Sequence, residues 1–229
     1  MWNKIQRIYI GSNLVRPANP YSPTVNTKLY YPLRFDQKDV MGNTSISVTG
    51  NKETIGYKFS KSSSSYTITF NNSRWLWIRF FSYWVYCNTL PSNTYVRILN
   101  TEYAFMNFMP TDSNSSRAKN ITYVMGTASS PYSSNWYYSW SKTITLNSRN
   151  YIAYWIASNG QYIATINWSV VWSGTASWTQ YHNSSWPSDL IGANGAYAVT
   201  FSDVIGEDRV WTQQEILDYY NKTKSNYGF

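Results

Sequence analysis

Strand-like alternation runs along most of this chain, and helix-like periodicity is confined to its end. Apolar residues recur at every second position over short stretches, as Tyr66, Ile68 and Phe70 do between two threonines. A helix would instead place them three or four positions apart. No helical pattern precedes residue 212, and turn residues such as those at 158–160 separate the alternating stretches. The sequence therefore predicts an all-β fold with one short C-terminal helix.

The composition favours a single globular domain. The chain has 229 residues, of which 19% are aromatic and only 13% are charged. So many aromatic residues can bury a large core, which argues against disorder, and so few charges argue against a coiled coil. The most apolar stretch, residues 75–87, is too short to cross a membrane and contains Arg79. We therefore predict no membrane insertion.

The formal net charge of +8 does not indicate nucleic-acid binding. Lysines and arginines are scattered along the chain, whereas phosphate binding usually requires clustered cations. The single cysteine, Cys87, cannot form an internal disulfide, and the single histidine, His182, cannot build a multi-histidine metal site. We predict a buried, inert Cys87 and a polar loop position for His182.

Eleven segments carry strand signals. They are residues 5–10, 14–17, 66–70, 75–86, 95–99, 121–125, 142–146, 151–156, 161–168, 196–201 and 205–211. The segment 75–86 is apolar at successive positions, which is typical of a central strand buried on both faces. Ser158, Asn159 and Gly160 predict a hairpin turn, because Asn and Gly accept positive φ.

The first residues form a separate unit in this interpretation. Residues 5–17 alternate around Gly11-Ser12-Asn13, which predicts a short β-hairpin. Pro17, Pro20 and Pro23 follow, and proline stiffens a chain and breaks strand ladders. We accordingly predict an N-terminal arm with its linker over residues 1–23 and a single domain over residues 24–229.

The C-terminal helix carries its own start signal. Thr212 and Glu215 are spaced as a capping box, in which each side chain bonds the backbone amide of the other residue. Trp211 and Ile216 have the spacing of a hydrophobic staple. These signals predict a helix over residues 213–222.

Two segments resemble concanavalin A-like (laminin-G-like) jelly rolls. Residues 208–221, DRVWTQQEILDYYN, resemble the closing strand and helix of that family, and residues 29–36, LYYPLRFD, followed by DVMGN at 39–43, resemble its opening. Asn167-Trp168 takes the place of the family's Asn-Gly hairpin turn. The resemblance spans residues 28–225 and implies a jelly-roll β-sandwich of two antiparallel sheets. This chain lacks several glycines common in the family.

The N-terminal hairpin resembles short segments of phage tail and phage-like structural proteins. An additional edge strand of the jelly roll accounts for the same residues equally well. The segment before residue 8 has no apolar signal core. We therefore expect a virion or extracellular-surface location for a protein made without a signal peptide.

Catalysis is not expected. Some concanavalin A-like proteins hydrolyse glycosides, which requires two carboxylates facing one sugar. The 11 acidic residues of this chain include one close group, Asp203, Glu207 and Asp208, which lacks the strand alternation that would place them on one face. Residues 113–188 contain no acid. The sequence thus predicts a non-enzymatic protein.

No cofactor is predicted, and calcium is the one candidate ion. The family resemblance implies a calcium ion held by carboxylates and carbonyls. Asp36, Asp39 and Asn43 lie in the opening segment and Asp203 lies near the closing one. No ligand set is assigned among them.

An aromatic stretch without Asp, Glu, Lys or Arg occupies residues 150–188. Its part after residue 171 is rich in Ser, Thr, Asn and Gly, which predicts loops, and residues 134–140 form a second such loop. Aromatic rings pack against the C–H faces of neutral sugars while amides and hydroxyls bond their hydroxyl groups. The predicted ligand-binding residues are Trp168, Trp172, Trp178, Tyr181, Asn183, Trp186, Trp136 and Tyr138.

These observations lead to a non-catalytic component of a phage or phage-like particle that binds a glycan or another host-surface ligand through aromatic loops. The same rings could instead fill the core or a subunit interface, where Trp and Tyr are also enriched. The second hypothesis is therefore a structural virion or fibre protein, and the third is a glycan-degrading enzyme. Expected partners are a glycan or host-surface polymer, other virion or fibre subunits, and further copies of the chain, without nucleic acid.

Overall fold

The structure, a computed structural model, describes residues 8–10, 13–15, 21–33, 38–46, 51–52, 56–60, 68–70, 78–87, 96–100, 104–108, 120–125, 137–143, 145, 147–175 and 198–229. In chain order the strands are β1 (Ile8–Ile10), β2 (Asn13–Val15), β3 (Thr27–Tyr31), β4 (Thr44–Ile46), β5 (Asn51–Lys52), β6 (Tyr57–Ser60), β7 (Ile68–Phe70), β8 (Phe80–Cys87), β9 (Val96–Asn100), β10 (Ala104–Phe108), β11 (Asn120–Met125), β12 (Tyr137–Thr143), β13 (Arg149–Ile156), β14 (Gln161–Ile166), β15 (Ser169–Thr175) and β16 (Ala198–Glu207). Helix α1 (Gln213–Thr223) and a 3₁₀ turn (Lys224–Tyr227) follow.

The largest sheet has eight antiparallel strands in the order β15-β14-β13-β8-β16-β6-β5, and β3 also pairs with β16. Strand β8 lies between β13 and β16, which confirms the prediction of a central strand in the 75–86 segment. Strands β9 to β12 form a four-stranded sheet, β4 pairs with β7, and β1 pairs with β2 as the predicted hairpin requires.

Both faces of the large sheet are buried at its central strand, β8. Successive strand residues point to opposite faces, and in β8 Tyr83 and Trp84 are both fully buried. The face of the sheet that carries Trp84 packs against α1 and the 3₁₀ turn. The Trp84 indole donates to the Thr223 hydroxyl of α1 at 3.2 Å and stacks on Tyr227 of the turn with ring centroids 4.3 Å apart. Helix α1 is thus a layer of the core on that face.

Several strand predictions need correction at their ends, including 161–168, where β14 ends at Ile166. The segments 196–201 and 205–211 form one strand, β16, which ends at Glu207. Asp203 lies within it at a φ of 49°, where the register shifts by a β-bulge and its amide donates to the Pro32 carbonyl. The bulge lets one strand pair with β6 before it and β3 after it. The predicted strand at 142–146 corresponds to β12, which ends at Thr143.

Helix α1 begins where the sequence predicts. The Glu215 amide donates to the Thr212 hydroxyl at 3.1 Å, and the Thr212 amide donates to the Glu215 carboxylate at 2.8 Å, so the capping box is confirmed. Arg209 adds an ion pair to Glu215 at 2.8 Å. Trp211 and Ile216 both lie in the buried cluster beneath the helix.

The ion pair at the start of α1 predicts a pH-dependent stability. Partial burial opposes ionisation of Glu215, but the Thr212 amide and Arg209 outweigh it and hold its pKa below the usual range. A lowered carboxyl pKa stabilises the fold above the unfolded-state value of about 4.3, and this contribution disappears as the pH falls through the folded-state pKa.

We expect Glu215→Gln to lower the free energy of unfolding by about 0.5 kcal/mol at pH 7, because glutamine can keep the cap but loses the exposed ion pair. The difference from the unmodified chain should shrink below about pH 4. Urea denaturation at several pH values measures it. A difference that stays constant down to pH 3 would contradict the assignment.

A hydrogen-bond network centred on the buried Glu207 joins the end of β16 to Tyr21, which lies 186 positions earlier in the chain. Its Oε1 accepts from the Tyr21 hydroxyl at 2.6 Å, and its Oε2 accepts from Trp211 Nε1 at 2.8 Å and from Arg209 at 2.8 Å. Burial and the hydrogen bond to Glu207 raise the pKa of Tyr21, so its hydroxyl remains a donor. The Trp211 ring stacks on Phe80 at 4.3 Å.

Gly56 occupies a conformation that other residues rarely adopt. Its φ is 106°, and a Cβ atom there would overlap the Phe201 carbonyl oxygen and the Ser202 hydroxyl of β16. The backbone leading into β6 therefore lies directly against β16. Within the described ranges, no helix has the length and apolar character needed to cross a membrane.

Candidate functional site

The hairpin at one edge of the large sheet holds Trp168 and Trp172, the two predicted ligand-binding side chains whose exposure the structure describes. Strands β14 and β15 are joined by Asn167 and Trp168, with φ of 48° and 68°. Two successive residues at positive φ are what a two-residue type I′ turn requires. The prediction that this pair replaces an Asn-Gly turn is therefore confirmed.

Asn167 fixes this turn to the neighbouring strand. Its backbone N–H donates to the Tyr151 carbonyl at 2.8 Å, and its side-chain oxygen accepts from the backbone N–H of Tyr151 at 2.8 Å. The two bonds extend the β13–β14 ladder beyond the last strand residue. The turn that carries Trp168 is consequently held to β13 by two hydrogen bonds.

Trp168 sits in the turn position where glycine is preferred. Positive φ costs a residue with a Cβ about 1–2 kcal/mol, and for a bulky side chain it is a conspicuous outlier. Its side chain is nevertheless 43% exposed. A strained tryptophan that faces solvent adds little to the core, and strain of this kind concentrates at functional sites.

A second aromatic feature lies farther along the same hairpin. Trp172 of β15 packs against Tyr162 of β14 with ring centroids 4.3 Å apart and planes tilted by 39°. Tyr162 is paired across the strands with Gly174, and a Cβ at Gly174 would overlap the Tyr162 ring and hydroxyl. The absence of a side chain at Gly174 therefore sets where the Tyr162 ring lies.

Two of the predicted loops are strands instead. Trp172 lies in β15 and Tyr138 lies in β12, so the prediction of loops at 172–175 and 137–140 was wrong. Strand β15 is at the end of the large sheet, and Ser173, Gly174 and Thr175 are exposed there. An edge strand tolerates polar residues and glycine that would be unfavourable inside a sheet.

The structure brings the two predicted aromatic segments together at the level of the backbone. Cα atoms of β12 approach those of β15 within 8 Å. The strand of Tyr138 thus lies beside the strand of Trp172. The remaining predicted residues lie outside the described part of the chain: Trp136, Trp178, Tyr181, Asn183 and Trp186. His182 lies outside it as well.

Tyr162 and Gly174 were missed by sequence reasoning. Tyr162 was assigned to an alternating strand without a role, and Gly174 was taken as loop composition. A glycine within a strand often marks the close approach of another group, and that signal was present in the sequence.

The hairpin is electrically neutral. Residues 150–175 contain no Asp, Glu, Lys, Arg or His. The nearest cation along β13 is Arg149, whose guanidinium carbon lies 5.7 Å from the Tyr86 ring centroid and 5.6 Å from that of Tyr227. Complete burial raises the pKa of Tyr151 on the same strand, so its phenol adds no charge.

Among the described residues, the candidate calcium ligands Asp39 and Asp203 have hydrogen-bond partners within the protein. Both carboxylate oxygens of Asp39 accept backbone amides, from Tyr30 and Met41 on one oxygen and from Asn43 on the other, at 2.9–3.0 Å. Asp203 is buried and accepts from the Tyr227 hydroxyl. Asp36 lies outside the described residues, among which no group of three potential metal ligands occurs.

The three clustered acids serve different parts of the fold. Glu207 is 1% exposed within the network described above, and Asp203 bonds Tyr227. Asp208 pairs with Lys28 of β3 at 3.0 Å on the surface. Each carboxylate thus has a structural partner of its own.

Comparison with protein-family models and with curated proteins finds no match. Among solved structures, the binding domain of botulinum neurotoxin serotype D matches with a TM-score of 0.64 at 13% identity, covering 86% of this chain and 51% of that one. The binding domain of Paraclostridial Mosquitocidal Protein 1 matches at 0.65 and 12%, covering 86% and 52%. A Trypanosoma rangeli sialidase matches at 0.63 and 14%, covering 90% and 34%.

The chain is a jelly-roll β-sandwich. The fold class predicted from the sequence, an all-β jelly-roll sandwich of antiparallel strands with a short C-terminal helix, is thereby confirmed, and the described strands form an eight-stranded sheet, a four-stranded sheet and two strand pairs. The jelly roll spans about half the length of the toxin binding domains that it matches. At these identities the likeness establishes the fold alone.

Proposed function

We propose that this jelly roll is a non-catalytic module that binds a glycan through the edge hairpin of β14 and β15. The observation that carries the proposal is Trp168, which is held at positive φ in a rigid turn and is 43% exposed. Trp172 and Tyr162 supply a second aromatic surface on the same hairpin.

The chemistry of the hairpin suits a sugar. Pyranose C–H faces pack against indole and phenol rings, since the ring faces carry a partial negative charge. Exposed Gln161, Ser173 and Thr175 on the same two strands offer amide and hydroxyl groups for hydrogen bonds. Tyr138, on the neighbouring β12, is included in the proposed site, and so are Trp136, Trp178, Tyr181, Asn183 and Trp186.

The structural neighbours agree with a binding role. Most of those described are named as binding domains, and one is described in complex with SialylT and another in complex with rat synaptotagmin II. The sialidase is an enzyme by name, and this chain covers only 34% of it. These descriptions concern the other proteins, and they support ligand binding by this fold.

Replacing Trp168 with glycine is expected to separate binding from folding. Loss of one stacked indole should weaken glycan binding at least about tenfold, or about 1.4 kcal/mol. The free energy of unfolding should change by less than about 1 kcal/mol, because relief of the positive φ offsets the lost contacts. A panel of immobilised oligosaccharides and urea denaturation measure the two effects.

Val25→Ala provides the matched control. Val25 is 89% exposed, and it precedes β3, which is five strand spacings or roughly 24 Å from β15. Binding should be unchanged in this variant. If Trp168→Gly binds as tightly as the unmodified chain, the site assignment is wrong.

The second proposed function is assembly. The same aromatic residues would then form contacts between copies or with other virion or fibre subunits, as Trp and Tyr often do. The observation in its favour is the β1–β2 hairpin, whose sequence resembles phage tail segments. Its test is native mass: Trp168→Gly should dissociate an oligomer, and a monomeric unmodified chain would exclude self-assembly.

We further infer a location on a virion or extracellular surface and kinship with concanavalin A-like domains. Absence of catalysis is part of the proposal, since both oxygens of Glu207 are engaged inside the protein. Reducing-end release from any bound glycan, lost in Glu207→Gln, would favour the enzyme hypothesis instead.

A further inference from the structure

We infer that the hairpin binds along an extended, uncharged glycan chain of several sugar units rather than a single terminal sugar. This inference rests on the proposed function and names the substrate class of the same site. It follows from the spacing of the two aromatic features and from the charge of the strands that carry them.

The two aromatic features are separated along the hairpin. Four residue steps lie between Trp168 and Trp172, and the register shift between Val170 and Trp172 shortens this to about three regular strand steps, or about 10 Å. The Trp172 ring contacts Tyr162, and Tyr162 lies over Gly174, two residues farther from the turn. The stacked pair is therefore displaced away from Trp168.

One sugar ring cannot lie on both features, because stacking requires van der Waals contact with each aromatic face. A chain of linked sugars can place one unit on Trp168 and a later unit on the Trp172–Tyr162 pair. Once the first unit is bound, the second binds from a high effective concentration. Affinity should therefore increase with chain length until both features are covered.

The charge of the hairpin indicates an uncharged chain. Residues 150–175 supply no cation to pair with a sugar carboxylate or sulfate, and Arg149 lies against two tyrosine rings. The cation of the neighbouring β12 is Lys142, four residues or about 13 Å along the strand from Tyr138. Desolvating an anionic sugar without a partner is unfavourable. The net charge of +8 attracts anions to the protein as a whole, so a preference for neutral chains would have to arise at the site itself.

The test uses the full chain and four series of one to six units: cello-, malto- and chito-oligosaccharides, with oligosialic acid as the anionic series. For at least one neutral series, we expect affinity to increase at least about tenfold from one unit to four and then to level off. Oligosialic acid of equal length should bind at least about tenfold more weakly. Binding of the neutral chain should be nearly independent of salt.

Two variants test the two aromatic features of the site separately. Gly174→Ala displaces the Tyr162 ring at the far feature, whereas Trp168→Gly removes the near one. Each variant should reduce the gain in affinity that the unmodified chain shows between one sugar unit and four. Val25→Ala should retain the full gain.

The outcomes separate failure of the inference from failure of the proposed function. If a single sugar binds as tightly as six units, or if oligosialic acid binds at least as well as every neutral series, the inference is wrong and glycan binding itself stands. If no series binds, or if Trp168→Gly retains the affinity of the unmodified chain for every length, the proposed function fails, and the inference fails with it.

Discussion

Replacing Glu207 with alanine is expected to destabilise the fold by about 2–5 kcal/mol, because two hydrogen-bond donors would lose their acceptor and the truncated side chain would leave a cavity. Arg209 would lose the carboxylate at 2.8 Å, and the hydroxyl of Tyr21 and the indole N–H of Trp211 would lose their acceptor. An unsatisfied buried donor costs about 1–3 kcal/mol on its own. Urea denaturation monitored by tryptophan fluorescence measures the change.

The neighbouring acid provides the control. Asp208 pairs with Lys28 at 3.0 Å where both side chains are partly exposed, so Asp208→Ala should cost less than about 1 kcal/mol. Each of the two variants removes one carboxylate, and the two positions are adjacent in the sequence. Equal effects would mean that the Glu207 network does not hold the end of β16 to Tyr21.

Replacing Gly56 with alanine is expected to cost at least about 3 kcal/mol. The φ of 106° is strained for any L-residue, and the added Cβ would overlap the Phe201 carbonyl of β16, which cannot move without distorting the sheet. Backbone strain contributes about 1–3 kcal/mol, and overpacking contributes a similar amount. The midpoint of urea denaturation should decrease, or the variant should fail to fold.

Gly42→Ala separates the two causes. Gly42 also has positive φ, at 70°, but no atom lies within 4 Å of the position that its Cβ would take. Its cost should be limited to backbone strain, about 1–2 kcal/mol. A Gly56→Ala effect no larger than that of Gly42→Ala would show that the close approach to β16 relaxes without cost.

Features encoded by neighbouring residues were predictable from the sequence. The capping box at Thr212 and Glu215 and the turn at Asn167 and Trp168 were found because each needs only a few adjacent positions. The central strand was found for a similar reason, since burial on both faces requires an unbroken apolar run.

Features stabilised by distant residues were not predictable in this way. The bulge at Asp203 interrupts its strand, and its partners Pro32 and Tyr227 come from remote parts of the sequence. Because the bulge interrupts the alternation of apolar and polar residues, the sequence pattern predicts two strands where the structure has one. The partners of Glu207 include Tyr21, which lies 186 positions away.

The residues of the proposed site were predictable by residue type, whereas their arrangement was not. Trp168 and Trp172 were identified from aromatic composition, whereas their spacing depends on the strand and turn that carry them. Polar composition concealed the edge strand, because a solvent-facing strand and a loop use similar residues. The predicted boundary after residue 23 and the five residues outside the described ranges remain predictions.

The position of β16 in the sheet has a consequence for how the chain folds. Strand β16, residues 198–207, pairs with β3, β6 and β8, which lie between residues 27 and 87. A nascent chain emerging from the ribosome exposes β8 with one side unpaired until β16 has been synthesised. Long-range pairing of this kind makes folding slow and leaves apolar strand edges open to aggregation. Productive folding therefore competes with association of unfinished chains, and chaperone supply should govern the yield of expressed protein.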